Sequence, residues 1–316
     1  MKKFIAILLA LMLLGLSAAS LAEGNTDMTS VTVTKVYKLV GAGSSPAETF
    51  TLEQVGAGRV TSGEATEAPA LGTITGAAFE AGAATEDGAK GEITIALPTY
   101  TNVGVYEYTL QEVAGKTAGV AYYGEQIRLV VTVINDETGN LRVAAVHTES
   151  VGGEKSDTFA NTYSAGTLNV TKTVTGNLGD KSQFFEFKVT LTGEEGKTYA
   201  NSYTVSGGSR EGNPSSIKIG EETTFYLKHG ETLSIANLPY GVSYTVTETA
   251  AKGYTTTKEG DSGSINAAAQ TAAFTNDRTT TVDTGITTDS LPYVLLLGIV
   301  VLAGAVLFVK RRANNG

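Results

Sequence analysis

The chain has 316 residues, enough for one to three domains, with no Cys, no Trp and 2 His. That excludes thiol nucleophiles, disulfides, thiolate-held metals and any metal site built on several histidines. A formal charge of −9 argues against nucleic acid, which favours basic faces, and only 17 % charged residues among abundant Thr, Gly, Ala and Val is the composition of secreted, strand-rich domains.

Residues 1–22 have the layout of a secretory signal peptide. Lys2 and Lys3 precede the apolar run Phe4 to Leu16, and Ser20-Leu21-Ala22 has the small-x-small pattern of a cleavage site. The mature chain is then expected to start near Glu23; an uncleaved N-terminal anchor is the alternative. Between 23 and 284 there are 18 basic and 31 acidic residues, a charge of −13. Extracellular domains commonly gain toughness from disulfides, and this one has none to use.

The next stretch predicts strands. Val31 to Tyr37, Gly91 to Ile95, Val105 to Leu110, Ile127 to Val133 and Phe185 to Leu191 alternate with period two between Gly-rich turns. Strands this short and this dense predict an all-β chain of tandem β-sandwiches. Two halves repeat the same landmarks. Val33-Thr34-Lys35, Tyr108-Thr109-Leu110-Gln111-Glu112 and Phe159-Ala160-Asn161 answer to Val170-Thr171-Lys172, Tyr244-Thr245-Val246-Thr247-Glu248 and Phe274-Thr275-Asn276. Lys to Glu spans 77 residues in one half and 76 in the other; Glu to Asn spans 49 and 28, so the first half carries an insertion before its last strand. The boundary falls near Ser164-Ala165-Gly166, giving domains 23–164 and 165–278.

Parity adds chemistry to the repeat. Alternate residues of a strand share a face. Lys35 stands with Val33 and Tyr37, and Lys172 with Val170 and Val174. Glu112 stands with Tyr108 and Leu110, Glu248 with Tyr244 and Val246. Asn161 and Asn276 each follow a Phe on the same face. Lys38, near Lys35, falls on the opposite face. Each half thus turns a Lys, a Glu and an Asn onto an apolar face, and burying a lone charge costs several kcal/mol. The plain alternative is that they are solvated residues of edge strands.

A buried Lys tends to lose its proton, which makes its amine a nucleophile. A carboxyl group that holds a proton in such a site can donate to a carbonyl and shuttle protons. A carboxamide held against the amine is an acyl acceptor that releases ammonia. Confinement replaces a catalyst, because held reactants reach effective molarities of roughly 10⁵ M or more. The product is an amide between two side chains, formed once per molecule, so no turnover enzyme and no cofactor or metal is implied.

This arrangement resembles the isopeptide-linked domains of Gram-positive shaft pilins of the T-antigen type and the related collagen-adhesin B-type, immunoglobulin-like sandwiches. The likeness covers most of 30–277 and is sharpest at Asn169-Val-Thr-Lys-Thr-Val-Thr-Gly-Asn177 and Phe185-Glu-Phe-Lys-Val-Thr-Leu-Thr-Gly193. It implies a Lys35–Asn161 bond assisted by Glu112 and a Lys172–Asn276 bond assisted by Glu248.

A linker at 279–290 carries Val282-Asp283-Thr284-Gly285. The apolar run 291–309 follows, about long enough to span a bilayer as a helix, and then a basic tail at 310–316 with Lys310, Arg311 and Arg312. The order resembles a sortase sorting signal, with Asp283 where the family has Pro, and implies cleavage between Thr284 and Gly285. A permanent single-pass anchor is the alternative. The resemblance also implies an exposed acceptor lysine shortly before the last strand of the first domain. Lys155, in the polar loop Gly152-Gly-Glu-Lys-Ser-Asp157, fits that place, with Lys116, Lys181 and Lys197 as competitors. The implied protein is secreted, membrane-anchored before sorting and then wall-anchored. Its implied partners are a sortase, neighbouring pilin subunits in a covalent homopolymer, minor pilins, peptidoglycan and a host surface, without nucleic acid. A monomeric wall-anchored adhesin that binds host matrix or glycans is the competing function. An enzyme is disfavoured: there is no nucleophile elbow, phosphate loop or zinc helix motif, and His147 and His229 read as lone, solvated residues.

Overall fold

A computed structural model describes residues 27–150, 153–280, 295–297, 299–301 and 303. The expected leader, Thr284 and Gly285, most of the apolar run and the basic tail lie outside the described residues. Among the described residues, no helix is long and apolar enough to cross a membrane. Between 27 and 280 the described residues are strands and connecting turns, and the chain divides into two compact units between Ser164 and Ala165.

The first unit has two principal sheets. In one, Ser30–Gly41 runs antiparallel to Ala89–Ala96, which also pairs with Ile74–Thr75. On its other side Ser30–Gly41 neighbours the start of the long strand Thr158–Thr175. The second sheet runs Leu141–Ser150, Ile127–Asn135, Gly104–Glu112, Leu52–Gln54, with Arg59–Gly63 also paired to Gly104–Glu112. Aromatic and β-branched residues suit this pleated, half-buried setting. Their alternation decides which side is buried: Tyr106, Tyr108 and Leu110 on one strand, Ile127, Leu129, Val131 and Val133 on the next. The extra length before the last strand is spent on the hairpin of Ile127–Asn135 and Leu141–Ser150, whose register shifts between Thr132 and Val133.

In the second unit the strand Thr158–Thr175 pairs antiparallel with Thr232–Pro239 and parallel with Ala269–Asp277. Tyr203–Gly207 and Thr255–Glu259 extend that sheet on either side. The other sheet orders Glu222–Leu227, Phe185–Thr192, Ser243–Glu248 and Ser262–Ser264. Leu168, Val170, Phe185, Phe187, Phe225, Leu233, Ile235, Val246 and Phe274 belong to one buried core, in which the Phe187 and Phe225 rings stack at 5.3 Å. Where the first half has a long hairpin before its last strand, this unit has five residues at Thr255–Glu259 and three at Ser262–Ser264.

Ser164-Ala165-Gly166 is part of a continuous strand. Gly166 is there for clearance: a Cβ at that position would lie 2.1 Å from the Ala267 carbonyl oxygen.

Two buried amine, carboxyl and carboxamide clusters

Adjacent strands bring the three residue types together in each unit. In the second, the parallel register sets Lys172 opposite Phe274 and Val174 opposite Asn276, so Lys172 and Asn276 are diagonal neighbours on one face. In the first, Lys35 lies on Ser30–Gly41, and Asn161 on the strand beside it. Glu112 and Glu248 end strands of the facing sheets.

Both clusters are dry. Lys35, Asn161 and Lys172 are each 1 % exposed, and Asn276 is wholly buried. The Glu248 side chain retains 2 % of its surface. In the first unit the Lys35 ammonium contacts Glu112 Oε2 and donates to Asn161 Oδ1 at 2.7 Å. Asn161 Nδ2 donates to Glu112 Oε1 at 2.5 Å. In the second unit Lys172 Nζ lies 2.8 and 2.7 Å from the two oxygens of Glu248, and Asn276 Nδ2 donates to Oε1 at 2.5 Å. Aromatic rings cover both amines. Lys172 Nζ is 4.3 Å from the Phe185 ring centre and 5.6 Å from that of Phe187; Lys35 Nζ is 5.4 Å from Phe50 and 5.7 Å from Tyr123. Burial holds both lysines below the ordinary value of 10.5, against the opposing pull of the neighbouring glutamate.

Each of the six residues selected by parity therefore lies in one of two separate triads. Lys38 is exposed, as its parity requires. The sequence reading missed the rings over the amines. It also missed the backbone N–H of Tyr123, which donates to Asn161 Oδ1 at 2.9 Å and, more weakly, to Glu112 Oε1 at 3.3 Å. A backbone donor has no residue-type signature, and the Tyr122-Tyr123 pair is too common a pattern to mark one.

Lys155 is exposed, as are Lys116, Lys181 and Lys197, so exposure does not separate the candidates. The loop around Lys155 is tied down more than its composition implied. Lys155 bridges Glu149 in antiparallel fashion, Ser150 N–H donates to Glu154 O, and Ser156 N–H donates to Thr148 O. The histidines are not solvated free residues. His147 Nε2 lies 2.9 Å from Glu149 Oε1, and His229 Nδ1 accepts the Val174 N–H at 3.0 Å. Among the described residues no three His, Asp or Glu are grouped to hold a metal ion.

Tandem strand-built modules, each closing an amine, a carboxyl and a carboxamide into a dry core between its early and last strands, define the class of isopeptide-type surface modules. A family described as a Spy0128-like isopeptide containing domain matches residues 31–164, and a domain family of unknown function matches 166–278. A curated pilin of Streptococcus pyogenes serotype M1 is 31 % identical over 236 residues, 68 % of this chain and 69 % of that protein. The crystal structure of the major pilin from Streptococcus pyogenes superposes with a TM-score of 0.52 at 25 % identity, covering 81 % of this chain and 100 % of that one. The pilus tip adhesin Cpa of Streptococcus pyogenes is 33 % identical over 129 residues, 39 % of this chain and 18 % of the adhesin. The chain belongs to the T-antigen-type major pilin family.

Proposed function

We propose that the chain is the shaft subunit of a sortase-assembled, wall-anchored pilus, toughened by two self-formed isopeptide bonds, Lys35–Asn161 and Lys172–Asn276. The observation that carries the reading is the pair of dry triads, each spanning the early and last strands of its unit. The chemistry balances within each triad. The ammonium passes a proton to the glutamate, and the neutral amine attacks the asparagine Cγ. The Nζ–Cγ bond forms and the Cγ–Nδ2 bond breaks. The glutamate bridges the attacking and leaving nitrogens, so it takes a proton from one and delivers a proton to the other. Ammonia departs.

A bond closing a loop of this size stabilises by about 4–5 kcal/mol if it acts as a disulfide would. Under tension it carries load between the two strands without unfolding the sandwich. Sortase would join Thr284, once cleaved from Gly285, to Lys155 of a neighbouring subunit. Minor pilins, peptidoglycan and a host surface complete the proposed partners. The likeness to a tip adhesin favours a second reading, a monomeric adhesin on the same modules.

Intact mass tests the bonds. The region 23–284 should weigh two ammonias less than its sequence, and Glu112→Ala and Glu248→Ala should each restore one. An unaltered mass rejects both bonds. Wall extracts separated on denaturing gels test assembly: a high-mass ladder that collapses in Lys155→Ala supports the shaft, and a single band in the unmodified strain supports the adhesin.

A further inference from the structure

We propose that the backbone N–H of Tyr123 is an oxyanion donor for the first cross-link, and that the second cross-link forms without one. The inference rests on the cross-linking reading above and adds a catalytic group to it.

The asparagine carbonyl is where charge develops. As the amine adds to Cγ, the carbonyl oxygen becomes an oxyanion, and a donor aimed at it lowers the barrier if it is in place beforehand. In the first unit the Tyr123 N–H sits 2.9 Å from Asn161 Oδ1. A backbone N–H can only donate, so its partner atom is the oxygen and not the nitrogen of the carboxamide. That fixes the reacting geometry: oxygen toward Tyr123 and the amine, nitrogen toward Glu112 Oε1, which can protonate it as it leaves.

Local structure holds the donor still. Val120–Ala121 pairs antiparallel with Tyr163 and Thr162 on the strand that carries Asn161, so the following residues run back alongside it. The Tyr123 ring packs edge-on against Phe159 at 5.2 Å, two residues before Asn161 on the same face. Both contacts tie the loop to the strand whose side chain reacts.

The second unit lacks this device. Asn276 Oδ1 is buried and has no hydrogen-bond partner among the described residues. An orphaned buried acceptor is costly, and a developing charge on it more so. Among the described residues Glu248 serves both reacting groups there, with Oε1 near both Lys172 Nζ and Asn276 Nδ2. The two bonds should therefore form at different rates in one molecule, the first ahead of the second.

The test is a time course on the full chain, made by cell-free synthesis in detergent micelles and quenched at intervals. Mass spectrometry of the cross-linked peptides then reports each bond separately. The Lys35–Asn161 bond is expected at least tenfold ahead of Lys172–Asn276. Replacing Tyr123 with its α-hydroxy acid turns the N–H into an ester oxygen, and should slow the first bond by ~10²-fold while leaving the second unchanged. The same ester in an Asn161→Ala background cannot cross-link the first unit, so its near-ultraviolet circular dichroism, compared with Asn161→Ala alone, shows whether that unit still folds. A folded ester chain that closes the first bond at the unmodified rate overturns the proposal, as does a second bond that forms first. Absence of both bonds from the unmodified chain overturns the cross-linking reading beneath it.

Discussion

The two units present the same three side chains on corresponding strands, yet they solve the burial problem differently. In the first, the glutamate oxygens divide their work: Oε2 meets the amine, Oε1 meets the carboxamide, and a backbone N–H completes the carbonyl. In the second, the glutamate grips the amine with both oxygens, a phenyl ring centre stands 4.3 Å from Nζ, and the carbonyl has no partner among the described residues. One cluster is satisfied around the acceptor, the other around the nucleophile. A shared residue pattern therefore fixes which atoms react, while the loop and ring neighbours decide how each site is polarised.

The largest test of that contrast removes each bond in turn. Asn161→Ala and Asn276→Ala should each lower the melting transition of their own unit by about 15–25 °C and leave the other in place, since about 4–5 kcal/mol of loop-closure stabilisation is lost. Scanning calorimetry on the full chain checks this. A single transition that shifts equally in both variants would mean the units do not melt independently.

A smaller effect appears in the same variants as pH rises. The lysine left unlinked has a folded-state pKa held below the ordinary 10.5 by desolvation. Below that depressed value it is charged in both states, and the desolvation cost is fully felt. Between it and 10.5 the unfolded chain binds more protons, so stability rises with pH through this window. The rise should be larger for Asn161→Ala, because the rings nearest Lys35 are farther from its charge than Phe185 is from Lys172. The cross-linked parent, whose amide nitrogens do not titrate, should lack it. Melting temperatures that stay flat toward pH 10 in both variants count against the depressed lysines.

Much of this was legible in the sequence because strand parity is a strict rule. Lys35, Glu112 and Asn161 could be assigned to the apolar face from their neighbours alone, and so could their counterparts in the second half. The repeat spacing of 77 and 76 residues placed amine and carboxyl at equivalent points. What stayed hidden was everything without a periodic signal. The Tyr123 N–H depends on where an irregular loop lies. Phe50 and Phe185 reach the amines from other strands, which no local pattern links to a lysine. Gly166 read as punctuation between domains, whereas the structure shows a strand passing too close to Ala267 for any side chain.

The smallest effect concerns how each last strand ends. The first unit's last strand does not stop after Asn161 but runs on past Ser164 to Thr175. In the second, Ala269–Asp277 stops just past Asn276, and the chain onward is pinned by Asn177. Its Nδ2 donates to Thr280 O and its Oδ1 accepts Thr280 N–H, both at 2.9 Å, beside the Leu178 N–H bond to Arg278 O at 3.0 Å. This segment lies beyond the proposed Lys172–Asn276 bond, so the bond cannot protect it, and a pull on the C-terminal side reaches these contacts first. Two exposed hydrogen bonds contribute about 1 kcal/mol. Asn177→Ala should therefore speed amide exchange at Thr280 about fivefold, leave both ammonia losses intact and barely move either melting transition. Exchange at Thr280 that is unchanged in the variant would show that Asn177 does not hold the exit.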